Sequence, residues 1–590
     1  MKNISPSSLA ALFFCLVPFA YANPLGGVVA GGDVNAIING QGTALTTISQ
    51  SSDTAIINWN SFNIDGQEST VFQFNGAAGA NSAVLNLVNA EAGSSTIAGL
   101  LQSTVGANGS IGGTVMILNP AGILFTPTAQ VNVGSLVATT LGLADQNEFL
   151  NRSTLHFSGD STAGVTIQNQ ANINALGDIF LIAHTVQNSG TLTAGNEVGL
   201  AAGTTVTLMQ SGMERLAVVA GMTTQEQPPV GVNNTEGGQI NAVITELKAA
   251  GGNIYALAIN NGGVVRATGL VNENGRIFFR AIDSSTGRKG VVSSTGTINR
   301  TLNIDGPNAP LDVIIEGSQV TLGGTVAISP GTLTVTTASG TGLNDTGDIH
   351  INDNTGIMAD SVSLHSGVNG TGDISFGSGV TVSADEQFYQ AGIGDGTANT
   401  AVADLTGNSP AFSGSGNSSP EYFVFQQDAT IADANIPAAS QFLLNTPPHF
   451  YQILSEGGNL TLSSGAKVMG SDLALFAWGT LTIADSLTLN SLYAASADHI
   501  VLTGGANSEI TTTAGQIYYD GVTLGANMTL NGTAIDFNDT ITGAGKNLTL
   551  NNSGTATLEG AVSGVDRFFR QRQRESGREQ HGFGGFGHRQ

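Results

Sequence analysis

From Asn169 onward the sequence keeps returning to one short pattern. Asn172–Ala183 reads NINALGDIFLIA and Gly190–Ala202 reads GTLTAGNEVGLAA. The step from Ile173 to Leu192 equals the step from Ile179 to Val198. The pattern recurs as GNIYALA over Gly252–Ala258 and, after a slightly longer step, as GRIFFRA over Gly275–Ala281. Gly331–Val335, Gly458–Leu462, Gly479–Ile483 and Lys546–Leu550 then repeat a G/K-x-L-T-apolar strand. A period near twenty, with alternating apolar residues and Gly or Asn at the corners, predicts coils of short strands stacked into a β-solenoid. Inward Ile, Val, Leu and Ala stack on the same positions one coil above, while Gly and Asn accept the left-handed corner backbone that other residues resist. At about 20 residues and about 4.8 Å per coil, such a stack reaches on the order of 120 Å.

Composition fits this class and excludes others. Gly contributes 80 of 590 residues, charged residues only 10%, and the apolar fraction is 41%. Disorder needs low hydrophobicity with high net charge, and this chain lacks the first. The net charge of −25 argues against nucleic acid as a partner, because phosphate must be neutralised by Lys and Arg. It also opposes binding to anionic membranes by charge.

Two stretches interrupt the repeats. Thr223–Gly238 contains Gln227-Pro228-Pro229 and reads as an extruded loop. Ala391–Gln427 begins rich in Gly, Ser, Asn and Asp, then resumes as a strand at Glu421. Both read as solvated insertions, the class of segment that can also carry function. The end of the chain differs from the rest. The tail from Asp566 to Gln590 holds six of the 18 Lys and Arg, whereas 40 of the 43 acids precede it. Strand alternation is expected to stop at Val565. This leaves an atypical basic tail over 566–590, read either as disordered or as the product of a frameshift that truncates the repeats.

The start of the chain is a targeting segment. Lys2 supplies a positive n-region, Leu9–Val17 an apolar h-region, and Ala20-Tyr21-Ala22 a small-residue cleavage site. Cleavage after Ala22 leaves Asn23 as the first mature residue. The h-region is too short to span a bilayer. Cys15, the single cysteine, is lost with it, so the mature chain has neither disulfides nor cysteine chemistry. No later segment has the apolar length of a transmembrane helix.

Between the targeting segment and the repeats lie two local motifs. Ala55–Ile64 reads AIINWNSFNI and contains Trp59, one of only two Trp, together with Phe62. Further along, Val115–Leu118 forms a buried-strand run that ends in Asn119-Pro120-Ala121-Gly122, followed by Ile123–Phe125. Pro120 pre-sets φ, Gly122 can take positive φ, and the Asn119 side chain can accept from the backbone two residues on. These residues resemble the N-terminal secretion domain of filamentous haemagglutinin-like exoproteins. In that family the hallmark turn is Asn-Pro-Asn-Gly-Ile. Asn119, Pro120, Gly122 and Ile123 match it, and Ala121 replaces the middle Asn; a second Asn-Pro-Asn-Leu turn is absent.

The resemblance covers roughly residues 23–300 and implies a TpsA-type exoprotein of two-partner secretion in Gram-negative bacteria. It implies an all-β, right-handed parallel β-helix with an N-terminal secretion and cap domain. Residues 1–22 would be the signal peptide and 23–145 the haemagglutination-activity and secretion domain. Residues 146–309 would continue its β-helix, 310–565 would form irregular solenoid repeats, and 566–590 the tail. The implied partner is an outer-membrane β-barrel transporter with POTRA modules, of the TpsB type. The implied fate is export to the cell surface and medium, and the implied role is adhesion through a receptor on host cells or surfaces, glycan or protein. A polysaccharide-acting enzyme on the same fold and a pore-forming cytolysin of the same secretion family are the rival functions.

No constellation for catalysis emerges. His156, His184, His350, His365, His449 and His499 are scattered, with no metal-ligand pair. Asn344, Asp345, Asp348, Asp353, Asn354 and Asp360 form the densest acidic run. Their spacing fits neither an EF-hand nor a calcium-binding solenoid repeat and reads as solvated turns. Arg266, Arg276, Arg280, Arg288, Lys289 and Arg300 are the only basic cluster before the tail. Coil spacing could align some of them on one face, and that face reads as solvated or as a contact for anionic polysaccharide. No cofactor is expected.

Overall fold

A computed structural model describes residues 23–220, 230–249, 257–267, 275–282, 289–300, 310–337, 347–367, 374–391, 411–413, 421–425, 429–431, 450–455, 458–462 and 472–572, apart from 78, 213, 378, 385, 485 and 506–507. Successive coils stack in parallel register into a β-helix. One sheet of 20 strands runs along it, from Val28–Gly32 at one end to Ala556–Leu558 at the other. A second sheet of 15 strands and a third of 10 complete the coils as far as Ala411–Ser413 and Ile374–Phe376. Beyond them, sheets of seven and five strands take over those two faces.

The repeat spacing predicted register directly. Ile173 pairs with Leu192 and Ile179 with Val198. Strands of the first half alternate buried and half-buried residues, as in Thr191–Ala194 and Thr205–Leu208. Strands Ile179–Ala183 and Glu197–Ala202 are buried on both faces. Inside the coils a continuous core runs from Ile48 to Leu550. It holds a polar thread as well: Asn188 Nδ2 donates to Asn234 at 2.9 Å, Asn234 to Asn261 at 2.8 Å, and Asn261 to Ser294 at 3.1 Å. Each link joins consecutive rungs, so a register slip would strand buried amides.

Five sequence expectations are corrected. Gly275–Ala281 does not follow the 252–258 unit. It pairs with Ile244–Ala249, so that Thr245 faces Ile277. Residues 252–256 lie outside the described residues, and Leu257–Asn261 belongs to the third sheet. The L-T-apolar strands are not one column of repeats either. Thr332–Thr337 lies on the long sheet, Leu460–Leu462 and Leu481–Ile483 pair on the seven-stranded sheet, and Leu548–Asn552 is on the five-stranded one. In-out alternation is common to every face, so it carries no information about which face.

The Thr223–Gly238 loop is shorter than expected, because Val230–Asn234 is a strand of the third sheet; residues 221–229 lie outside the described part. Finally, the stack does not stop at Val565: Phe568–Arg572 pairs in parallel with Leu548–Asn552. Residues 573–590 are not described. Twenty strands at about 4.8 Å make the long sheet roughly 90 Å in length. The stack falls short of 120 Å because many coils carry excursions, as where Val198 pairs with Thr245, more than two periods on.

Antiparallel strands close the first coil. Val28–Gly32 lies against Thr54–Trp59 and Ile37–Asn39 against Leu45–Gln50. Asp33, 1% exposed, ties this cap down by accepting from the amides of Ser51, Ser52 and Asn35 and from the Ser51 hydroxyl. Burial pulls its carboxyl pKa up, but these bonds outweigh burial and leave it below the usual value.

Candidate functional site

The N-terminal coils carry the motif residues and a cover over their outer face. Thr54–Trp59, Ala83–Val88 and Thr114–Leu118 are three consecutive strands of the long sheet. Trp59 points into the coil, 2% exposed, with Phe62 packed edge-on at 5.6 Å. The indole Nε1 donates to Asn86 at 2.9 Å, and Asn86 Nδ2 donates to the Met116 carbonyl at 3.0 Å. This relay binds all three rungs together. Asn86 carries no signal in the sequence, because its importance lies only in its place between two rungs.

Asn119–Gly122 turns the chain from the long sheet to the third sheet. Ala121 N donates to Asn119 Oδ1 at 2.9 Å, the expected Asx bond, and Gly122 N donates to the Asn119 carbonyl at 3.0 Å. Gly122 has φ +115°. A Cβ there would meet nothing closer than 3.5 Å, so glycine is required by the backbone angle and not by space. Asn119 also does more than cap a turn. It is fully buried, and its Nδ2 donates to Gly93 O at 3.0 Å and to Ser95 Oγ at 2.9 Å on the preceding coil. The Pro120 carbonyl accepts from Ser161 Oγ at 2.5 Å. Ile123 then enters the third sheet, 2% exposed, paired with Ser95 and Val165. The two motifs therefore lie at one corner, two rungs apart, with the Ala83–Val88 rung between them.

Asn23 is buried at the capped end. Its side chain donates to Thr43 O at 2.5 Å and Ser69 O at 3.2 Å, and accepts from Thr70 Oγ1 at 3.0 Å. Ala22 lies outside the described residues.

The cover is an antiparallel sheet of four strands, Gly142–Leu143, Leu155–Ser158, Thr205–Leu208 and Leu216–Ala220. With the short helix Gln146–Leu150 it lies on the outward face of the long sheet. Phe149, Phe157, Val206 and Leu216 bury Ile56, Leu85, Met116, Val137 and Phe180 beneath them as a second core. Nothing in the sequence singles it out, because these strands alternate like any rung.

Charged groups clamp the cover's edge. Glu246, fully buried, accepts from the amides of Arg215 and Leu216. Lys248 Nζ donates to Leu216 O at 2.7 Å and pairs with Glu246 at 2.7 Å and Glu214 at 2.8 Å. Arg280 joins Glu214 to Glu316. Arg215 pairs with Asp178 at 2.7 Å, reaches Glu197 at 3.5 Å, and lies over the Phe180 ring.

Glu197 is fully buried. Burial first, then its hydrogen bond to Glu246 and the charge of that neighbour, push its pKa up to about 10, against the opposing pull of Arg215. The folded chain thus keeps a proton at neutral pH that an unfolded Glu197 releases. Bound protons exceed those of the unfolded state between the usual carboxyl range and about 10, so stability falls as pH rises through that window. Glu197→Gln cannot lose that proton. The variant is expected to match the wild type at pH 5 and to exceed it by several kcal/mol at pH 9. Parallel pH profiles in thermal melts would refute the assignment.

The remaining candidate residues do not converge. Arg276 and Arg280 lie on the long sheet, while Arg266 and Arg300 lie on the second. Arg300 donates to Ser329 O at 2.9 Å, and Arg288 lies outside the described residues. Asp348 stands 3.8 Å from His350, and Asp360 accepts from Ser329 on another rung. Asn344 and Asp345 are not described. His156 pairs with Glu148 at 2.8 Å on the cover. Among the described residues, no three His, Cys, Asp or Glu are grouped to hold a metal, and no helix is long and apolar enough to cross a membrane.

Comparison with known proteins gives one family. Residues 27–294 match the family model described as the TPS secretion domain. This span takes in the cap, the Trp59 and Asn119 corner, the cover and all of its clamp but Glu316. The chain is similar to the HMW1 secretion domain from Haemophilus influenzae, at 21% identity over 80% of this chain and 100% of that one, with a TM-score of 0.41. It is also similar to the filamentous hemagglutinin secretion domain, at 14% identity over 61% of this chain and 95% of that one, with a TM-score of 0.32. No curated protein matches it.

Proposed function

We propose, from the match of residues 27–294 to the TPS secretion domain, that the chain is a surface adhesin exported by two-partner secretion. Met1–Ala22 directs it across the inner membrane and is removed before Asn23. The corner built by Trp59, Phe62 and Asn119–Ile123 belongs to the part, residues 23–145, that engages an outer-membrane transporter with POTRA modules. Residues 146–309 continue that coil, and the rungs from 310 to 572 are the shaft presented outside. Attachment to cells or surfaces is the shaft's task.

The family match over the N-terminal part of the chain is the observation that carries this reading. A physical account supports it. Each rung that stacks buries apolar residues and closes a ladder against the rung before it, so folding outside can draw the chain outward without ATP. Deleting residues 23–145 behind an intact signal peptide should leave the protein in the periplasm of a strain that carries the cognate transporter. Normal surface delivery of that deletion would overturn the reading.

A further inference from the structure

The outward positions of the long sheet change character along the stack. In the first rungs they are apolar and covered, as Ile56, Met116 and Phe180 are. Next they are charged and paired, as Glu246, Lys248, Arg280 and Glu316 are. Between Leu454 and Tyr519 they become apolar again, and here the aromatic rings meet solvent.

Phe476 sits between Leu454 and Ala495 in one column of that face. Tyr493 sits between Ala474 and Ile517 in the next column. Tyr519 follows directly on the rung above Tyr493, and Trp478 directly follows the strand that holds Phe476. Trp478 is 64% exposed, Tyr519 46% and Tyr493 36%. The chain has only two Trp and eight Tyr. The other Trp is buried at the N-terminal corner, so three of these ten residues sit exposed on three neighbouring rungs. Rings held in water at this density mark a contact surface.

Charge narrows the partner. From Asp472 to Gly545 the sequence has no Lys or Arg and seven acids. Asp472, Asp498 and Asp520 lie on these same rungs or at their ends, and Asp536 lies on the next rung beside Ile517. An anionic polymer or membrane is repelled there. A second copy packed face to face would set the same acids against each other. An uncharged polysaccharide meets neither objection. Its pyranose faces are apolar enough to lie on aromatic rings, and its hydroxyls donate to carboxylates. A repeating chain also suits a flat sheet whose rungs recur about every 4.8 Å.

We propose that Trp478, Tyr493 and Tyr519 form a binding face for an uncharged polysaccharide. It deepens the adhesin reading and rests on it for its biological setting. The test uses the secreted full chain, titrated with dextran, galactomannan and soluble β-glucan, with polygalacturonate as the anionic control. Trp59 is buried, so a change in tryptophan emission reports Trp478. Binding of at least one neutral glycan is expected, and none of polygalacturonate. In calorimetry, Trp478→Ala and Tyr519→Ala should each weaken binding by about tenfold or more, with circular dichroism unchanged because both side chains are exposed.

Three results would overturn the proposal: no binding of any neutral glycan by the wild type, equal binding by wild type and both variants, or a wild-type dimer in light scattering that Trp478→Ala converts to monomer. Attachment to cells is scored separately. A chain that attaches but binds no neutral glycan removes this proposal and leaves adhesion standing. A chain that binds glycan without attaching removes adhesion and leaves the face.

Discussion

Lys248→Met is expected to release the cover from the N-terminal coils. Lys248 is 7% exposed, and its ammonium touches Glu246, Glu214 and the Leu216 carbonyl. Methionine fills similar volume but supplies no charge and no donor. Glu246 then keeps the amides of Arg215 and Leu216 and its hydrogen bond to Glu197, but its buried carboxylate has lost its cation. Removing one partner of a buried pair costs about 3–5 kcal/mol, because the charge left behind cannot reach water.

The loss should be local. Repeat stacks are stabilised rung by rung, so a defect at one rung does not spread evenly along the stack. Hydrogen exchange should therefore quicken over Thr205–Leu208, Leu216–Ala220 and Ile244–Ala249, while rungs beyond Leu460 keep their protection. Adding Glu246→Gln to Lys248→Met removes the stranded charge and keeps an acceptor for the two amides. That double variant should recover part of the protection. Unchanged exchange over Leu216–Ala220 in Lys248→Met would show that the second apolar core holds the cover without the clamp.

The same residues explain where the sequence was legible and where it was not. The equal steps Ile173–Leu192 and Ile179–Val198 became paired rungs without correction. Inward positions are apolar at a fixed period, and that signal survives in the sequence. The next rung was missed because its outward positions carry Glu246 and Lys248 and its register is offset by the cover. Ile244–Ala249 reads ITELKA, which resembles a solvated segment until the hairpin that buries those charges is known.

The clamp was invisible for a related reason. Asp178, Glu197, Arg215 and the Glu246–Lys248 pair lie far apart along the chain and are joined only by the stacking of coils and the return of the cover. At the corner, the Asx bond from Ala121 to Asn119 was legible because it is local. The bonds of Asn119 to Gly93 and Ser95 cross to another coil. Local chemistry and inward periodicity can thus be read from the chain, whereas outward faces depend on what later folds over them. The break in composition at Asp566 is real, yet Phe568–Arg572 still has enough strand character to add a rung.

Those coil-crossing bonds raise the expected effect of changing the turn. An exposed cap is worth about 1 kcal/mol. Asn119 is fully buried, and Asn119→Ala strands the buried Ser95 Oγ, while the carbonyl of the exposed Gly93 and the amide of the half-buried Ala121 each lose a bond. Each buried group left without a partner costs about 1–3 kcal/mol, so this variant should lose more than a cap would. Asn119→Asp keeps the bond from Ala121 but offers Gly93 O and Ser95 no donor, and should fall between the two.

Gly122 tests the other half of the turn. At φ +115° any β-carbon is strained, and a β-branched one most, by about 1–3 kcal/mol. Because the nearest atoms stand 3.5 Å from the added carbon, Gly122→Ala should do nearly as much harm as Gly122→Val. A packing defect would instead rank them by size. Ala121 is only half-buried and contributes its amide alone, so Ala121→Asn should be tolerated. With the cognate transporter present, Asn119→Ala and Gly122→Val should cut secreted protein severalfold and Ala121→Asn should not. Refolded shaft beginning after the cover should keep its β content in every case, since its rungs do not touch this corner. Equal secretion of all four proteins would mean that the corner holds the first coils together and has no part in export.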